Sequence, residues 1–294
     1  MNRDSENKDF QPDRRFDRMS RLVGEPCMER LAKARVMILG LGGVGSWAAE
    51  CLVRSGVGAV TLVDFDDVCI TNFNRQLHAL EGTVGEPKAE VMARRLRAIN
   101  PAADIRVVPQ FYNAESGGKI LENSPDYVID AIDCVTAKCH LLATCRARGI
   151  PTVTSTGSGG RMDPTRVEVA ALSETDVAPL AKMIRKLLRR DHGFPSEGAG
   201  PFGITAVFSK EPPSLPYPLS YDNGKGFRCM CSKNNDVPFT CNQRNLIMGT
   251  ASFVTGAFGL HCAAVAVRAL INEQPDQGAV NSRLTAAPSS KPAP

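Results

Sequence analysis

Residues 35–64 read RVMILGLGGVGSWAAECLVRSGVGAVTLVD, and this stretch decides the fold. Arg35–Gly40 is a short apolar run closed by glycine, the form of a strand buried on both faces. Gly40, Gly42, Gly43 and Gly45 then make a turn, and a helix is expected from Val44 to about Ser55. Ala59–Asp64 is a second strand, closed by an acid. A glycine turn between strand and helix lets backbone N–H groups and the helix N-terminus approach a phosphate. Asp64, about 20 residues beyond the turn, is placed to accept hydrogen bonds from a ribose. Alone, these features imply an adenine nucleotide and leave its chemistry open.

The same alternation continues outward. Pro87 marks the start of a helix and Asn100-Pro101 its end. Asp104–Pro109, Tyr127–Ala131 and Thr152–Ser155 read as strands, with helices near Glu115–Asn123 and Ala137–Arg148. Strands alternating with helices predict an α/β protein, a Rossmann-like doubly wound and mostly parallel sheet with helices on both faces. Beyond Gly160 the pattern changes. Arg166–Ala171 alternates like an antiparallel strand, Val177–Arg190 is an amphipathic helix, and Gly203–Ser209 is a short strand within an irregular stretch over 191–245. The expected organisation is a flexible N-terminus (1–14), one domain over 15–272 and a disordered Pro/Ala/Ser-rich tail (273–294). Within that domain, 15–160 binds nucleotide, and 161–272 binds substrate and supplies an antiparallel C-terminal extension.

Composition bounds the rest. A net charge of +4 gives a weak global field, so affinity for a polyanion has to come from a local patch. Ten cysteines scattered through strands and helices of a 294-residue chain read as buried thiols in a reducing compartment. Met1–Arg15 is polar and lacks an apolar core, so no secretory signal is expected and the cytoplasm is the default. Leu246–Ile271 is apolar, but it carries His261, Arg268 and many small residues. It therefore reads as a buried helix rather than a membrane span of about 20 apolar residues.

The residues after the glycine turn favour ATP over a nicotinamide. Asn72, Arg75 and Gln76 lie in the loop TNFNRQ, Lys88 in VGEPKAE, and Asp130 and Asp133 in VIDAID after a strand. A pyrophosphate leaving group calls for Arg and Lys, and Mg²⁺ calls for carboxylate oxygens near the phosphates.

In order and spacing, GLGGVG, LVDFD, TNFNRQ, VGEPKAE, INP and VIDAID resemble the E1-like adenylating superfamily, which activates ubiquitin-like proteins and sulfur carriers. The resemblance implies that Asp64 holds the ribose, that Asp66 belongs to the same nucleotide site, and that Asn72, Arg75 and Lys88 contact phosphates. It also implies that Asp133 binds Mg²⁺ with ATP. It further implies a homodimer in which an arginine near the N-terminus reaches the partner's ATP. Within RRFDRMSRLVG, either Arg18 or Arg21 matches that arginine, with Arg21 favoured.

Three segments narrow the resemblance to the tRNA threonylcarbamoyladenosine dehydratase family: residues 43–80, 84–101 and 128–151. So does TGSGGRMDPTRV, followed by a basic helix, a strand ending AVFS and a small-residue helix. The implied activity is ATP-dependent cyclisation of the threonylcarbamoyl group on a tRNA adenosine. The alternative is adenylation of the C-terminus of a ubiquitin-like or sulfur-carrier protein. Some members also work with a sulfurtransferase partner. Lys182, Arg185, Lys186, Arg189 and Arg190 recur at helical spacing as one basic stripe, suited to tRNA phosphates or to a solvated helix face. Paired CxxC motifs are absent, so no structural zinc is expected; Cys229, Cys231 and Cys241 lie where some relatives keep a thioester cysteine. His78 lies near the phosphate loop, where a plain hydrogen-bonding role is expected.

Overall fold

The computed structural model of the protein describes residues 10–219 and 247–271. In chain order the main elements begin with α1 (Asp17–Val23), α2 (Glu25–Lys33), β1 (Arg35–Leu39), α3 (Gly45–Arg54) and β2 (Ala59–Val63). They continue with α4 (Lys88–Ile99), β3 (Asp104–Val108), α5 (Ala114–Ile120), β4 (Tyr127–Asp130), α6 (Val135–Ala147) and β5 (Thr152–Ser155). The remainder are β6 (Val167–Ala171), α7 (Pro179–His192), β7 (Thr205–Ser209) and α8 (Ser252–Ile271).

The seven strands form one sheet in the order β3-β2-β1-β4-β5-β7-β6. Every pairing is parallel except β6 with β7, which is the expected antiparallel extension. The chain leaves β1 first toward β2 and β3, then returns to add β4 and β5 on the other side. The switch point therefore lies between β1 and β4, where ligands bind open α/β sheets beyond the strands' C-terminal ends.

β1 shows why a continuous apolar run suits a central strand. Val36 and Ile38 pack into a core built with α2, α3, α4 and α8. Met37 and Leu39 point the other way, into a core with α5 and α6. Both faces are thus covered by helices, as the absence of polar alternation in β1 requires.

The apolar C-terminal stretch has the length and composition of a membrane span. In the structure it is a core helix: α8 lies against α3 and the strands β4 and β5. Its small residues explain how. A Cβ at Gly259 would lie 2.4 Å from the Val44 carbonyl oxygen and 2.7 Å from Trp47 Cβ, and one at Gly256 would touch the Trp47 ring. These small residues serve packing within the chain.

The first two helices are the main departure from the sequence reading, which assigns no element between residues 15 and 34. A single glycine, Gly24 (φ +84°), ends α1 and starts α2, with Pro26 in the first turn. The helix expected over Glu115–Asn123 ends at Ile120, because the chain turns through Ser124 at positive φ before β4.

Gly259→Ala is expected to destabilise the fold by about 1–3 kcal/mol, because the added methyl must push α8 off the α3 backbone. Urea unfolding measures it. An unchanged midpoint would mean that α8 moves away from α3 freely.

Candidate functional site

The turn after β1 is shaped by what surrounds it. Gly40 has φ +87°, and a Cβ there would lie 2.6 Å from the Ala131 carbonyl at the end of β4. A Cβ at Gly45 would lie 1.8 Å from the Gly40 carbonyl. These two glycines are required by the chain itself. At Gly42 the nearest atom to an added Cβ is Gln76 Nε2 at 3.9 Å, so this glycine answers to no protein contact. The first turn of α3 has no side-chain cap, although its Ser46 N–H is taken by the Gly42 carbonyl at 3.1 Å; such a helix start suits an anion.

Asp64, at the end of β2, clamps this turn. Its Oδ2 accepts the Leu41 N–H at 2.6 Å and its Oδ1 accepts the Asp66 N–H at 2.8 Å. Burial pushes its pKa up, the neighbouring Asp66 adds to that, and the Lys88 charge and the two N–H bonds oppose it. Lys88, the first residue of α4, is buried and bonds Asp66 Oδ2 at 2.8 Å. Burial alone would lower the lysine's pKa, but the charges of Asp64, Asp66 and Asp133 outweigh it and hold the ammonium above its ordinary value. The structure thus brings together the glycine turn, Asp64, Asp66, Lys88 and Asp133.

The TNFNRQ loop supplies the other side. Asn72 is buried, and its Oδ1 accepts the Cys69 N–H at 2.9 Å, so part of this side chain shapes its own turn. Arg75 donates from Nη1 to the Thr71 carbonyl at 2.8 Å and to Asn74 Oδ1 at 3.0 Å. Its own carbonyl accepts the Trp47 indole N–H at 3.1 Å, which ties the loop to α3. Gln76 is buried, and its Oε1 has no partner among the described residues.

The two aspartates of VIDAID separate completely. Asp133 is exposed just ahead of α6. Asp130 is fully buried, so the reading that offers it to a metal beside the phosphates is corrected. Its Oδ2 accepts Lys138 Nζ at 2.6 Å and Thr154 Oγ1 at 2.6 Å. Its Oδ1 accepts the Ile132 N–H at 3.1 Å and so shapes the loop that presents Asp133.

Other expectations fare unevenly. Arg21 pairs with Asp17 at 2.9 Å on the exposed side of α1, and no described site residue is its partner. Phe16, just before α1, lies against Gly56, at the end of α3 away from the glycine turn. The basic stripe on α7 divides: Lys182, Lys186 and Arg190 are exposed, whereas Arg185 donates to Thr175 Oγ1. Arg189 donates to the Pro195 carbonyl at 3.2 Å and stacks over Phe202. Cys229, Cys231 and Cys241 lie outside the described residues.

His78 is the residue whose setting the sequence reading missed. It is 1% exposed and neither ring nitrogen has a hydrogen-bond partner among the described residues, contrary to the expected bonding role. Burial, together with the charges of Lys88 and Arg95, lowers its pKa to about 3. The unfolded chain therefore takes up a proton near pH 6.5 that the folded chain refuses until about pH 3. His78 contributes full stability above that upper value and costs stability as pH falls through the window. Between pH 6 and pH 5 the wild type should lose about 1 kcal/mol that His78→Leu retains. Equal acid slopes in urea titrations of the two proteins would show that the imidazole protonates in place.

Comparison with known proteins places this geometry. The model of the ThiF family matches residues 16–291. The chain is 41% identical to the tRNA threonylcarbamoyladenosine dehydratase of Escherichia coli strain K12 over 264 residues, 90% of this chain and 96% of that protein. It is 44% identical to the Bacillus subtilis strain 168 protein of the same name over 198 residues, 67% and 75% of the two chains. It is also similar to the crystal structure of the E. coli dehydratase in complex with ATP. There the TM-score is 0.74 at 39% identity, covering 87% of this chain and 93% of that one. With its switch-point glycine turn, its acid-ringed lysine and these chain-long matches, the protein belongs to the ThiF family.

Proposed function

We propose that this chain is an ATP-dependent tRNA threonylcarbamoyladenosine dehydratase that works through a carboxyl-adenylate. The observation that carries the reading is the relationship to dehydratases over nearly the whole chain, including the half beyond β5 where substrate choice lies. The site geometry supports the nucleotide chemistry. Gly42 leaves room for a phosphate over the turn, and the uncapped α3 N-terminus faces the same place. The free lone pairs of Asp64, at the β2 end, suit a ribose.

Charge balance argues for a divalent ion. Asp64, Asp66 and Asp133 surround one lysine, so the cluster is net negative and would repel a triphosphate unaided. Asp133, an exposed hard-oxygen donor at the strand-end crevice, fits Mg²⁺. When bound there with ATP, Mg²⁺ would shield the phosphate charge. Arg75 and Lys88 supply the remaining positive charge as pyrophosphate leaves. The substrate carboxylate forms a bond to the α-phosphorus and pyrophosphate departs. The carbamoyl nitrogen then attacks the activated carbonyl, loses its proton, and expels AMP with the oxygen that a dehydration removes. Closure of a five-membered ring by an internal nucleophile needs little help beyond orientation.

Arg21 enters this scheme only across a homodimer, since its partner within the chain is Asp17. Phe253 and Leu260 lie exposed one heptad apart on α8, an apolar face that supports such pairing.

Incubated with ATP, Mg²⁺ and tRNA carrying threonylcarbamoyladenosine, the protein should remove one water from that nucleoside, read by mass spectrometry after mild digestion. Asp133→Asn should abolish both this product and ATP–pyrophosphate exchange while leaving thermal unfolding unchanged. Exchange retained in that variant would remove Asp133 from its role. An inactive wild type that exchanges only with a small carrier protein would assign it to protein adenylation.

For tRNA binding the divided stripe gives a sharper expectation than five equal cations. Lys182→Ala and Lys186→Ala should each lower the salt dependence of tRNA affinity by about one unit of slope, with little effect on stability. Arg189→Ala should instead lower stability through its lost contacts with Phe202 and Pro195. Salt slopes unaltered by the two lysine changes would place tRNA elsewhere.

A further inference from the structure

The nucleotide groups run across the sheet in strand order: Asp64 at the end of β2, the glycine turn at β1 and Asp133 after β4. A nucleotide laid along them has its ribose at β2 and its phosphates at β1 and β4. The group to be activated must then come in over the next strand, β5. What stands there is the segment 156–163.

One arginine holds that segment. Arg161 is 4% exposed, and its guanidinium binds three carbonyl oxygens. Nη1 donates to Gly157 at 2.9 Å and to Gly159 at 3.1 Å, and Nε donates to Glu211 at 3.0 Å, just after β7. The Glu211 carboxylate returns the bond by accepting the N–H groups of Met162 and Asp163 at 2.8–3.1 Å. Between the two lies Gly160 at φ +75°, whose N–H reaches the Gly249 carbonyl at 2.8 Å and whose carbonyl accepts the Ser214 N–H at 2.7 Å. Any side chain at Gly160 would strike Met248 and Ser214 at 2.7 Å. The chain of contacts closes on the nucleotide loop: Asn74, beside Arg75, donates to the Thr250 carbonyl at 2.9 Å.

A buried guanidinium whose direct partners are all backbone carbonyls does little for charge pairing and much for shape. Its own bonds fix two stretches of irregular chain, 156–163, which follows β5, and 210–214; Gly160 within the first ties in a third, 247–250. Loops carry function when something rigid positions them, and here the rigid element is a side chain.

We propose that Arg161 is a positioning residue for the carboxyl-bearing substrate. It sets the wall against which the tRNA nucleotide is received, and ATP binding does not depend on it. The proposal rests on the adenylation reading given above and adds a residue that touches neither ATP nor any group of the nucleotide site.

The test compares the full-length wild type with Arg161→Met, which keeps the side chain's length and removes its donors, and with Arg161→Lys, which keeps the charge. ATP affinity is measured without tRNA. The rate constant and KM for threonylcarbamoyladenosine-bearing tRNA are measured at saturating ATP. Expected is an ATP Kd that hardly changes, while kcat/KM for tRNA falls about 10²-fold in Arg161→Met, the scale of a misplaced reactant. The lysine variant should recover part of the loss. Should Arg161→Met fail to fold, the same split is read from Arg161→Lys. Parallel losses of ATP affinity and tRNA turnover, or no loss of either, would overturn the inference while leaving the dehydratase reading intact. A wild type without ATP-dependent dehydration would instead overturn that reading, and this inference with it.

Discussion

The Lys88 ammonium is buried, and burial alone would lower its pKa; Asp64, Asp66 and Asp133 together hold it above its ordinary value. Asp64 is at the centre of that balance, because its two oxygens also hold the glycine turn at Leu41 and the acidic loop at Asp66. One carboxylate therefore sets the place of the phosphate-binding backbone, of the second acid and, through it, of the lysine. Any change in Asp64 would be felt at all three. It follows that the chain's own packing builds an ion cluster here, with three acids around one lysine.

A second buried lysine, Lys138, shows how differently the same chemistry is used a strand away. Lys138 and Asp130 are both fully excluded from water, and Thr154 shares the carboxylate oxygen. Removing one partner of such a pair costs about 3–5 kcal/mol, because the other charge is left alone in the interior. The pair joins α6 to β4 and β5 at the point where the chain turns out toward Asp133. The exposed aspartate does its work on a loop whose root is pinned by the buried one. Rigidity at the root and exposure at the tip suit the metal-binding role proposed for Asp133.

Much of this was legible in the residues. The strands β1, β2 and β5 fall where apolar runs end in glycine, acid or serine, and the glycine turn, Asp64 and Lys88 meet because a βαβ unit returns each strand end to one edge. Other features depend on tertiary contacts that periodicity does not encode. VIDAID presents two aspartates three residues apart, and only the presence of Lys138 on α6 tells which is buried. The five cations of α7 share a helical spacing, yet two of them lie at the border of the apolar face and are drawn into packing by Thr175 and Phe202. Gly24 hides two helices, since one residue both ends α1 and begins α2. His78 gives no signal at all: a buried imidazole without a hydrogen-bond partner among the described residues looks in sequence like any other histidine in a loop.

The two halves of the chain are held in order by different means. The turn after β1 is fixed by backbone sterics, since Gly40 and Gly45 leave no room for a side chain. Beyond β5, β7 inserts between β5 and β6, and order comes from side-chain ties to backbone, at Arg161 and at Glu211. The α8 helix links the halves: it packs on α3 behind the glycine turn and, through Thr255 against Gly43, reaches the turn itself.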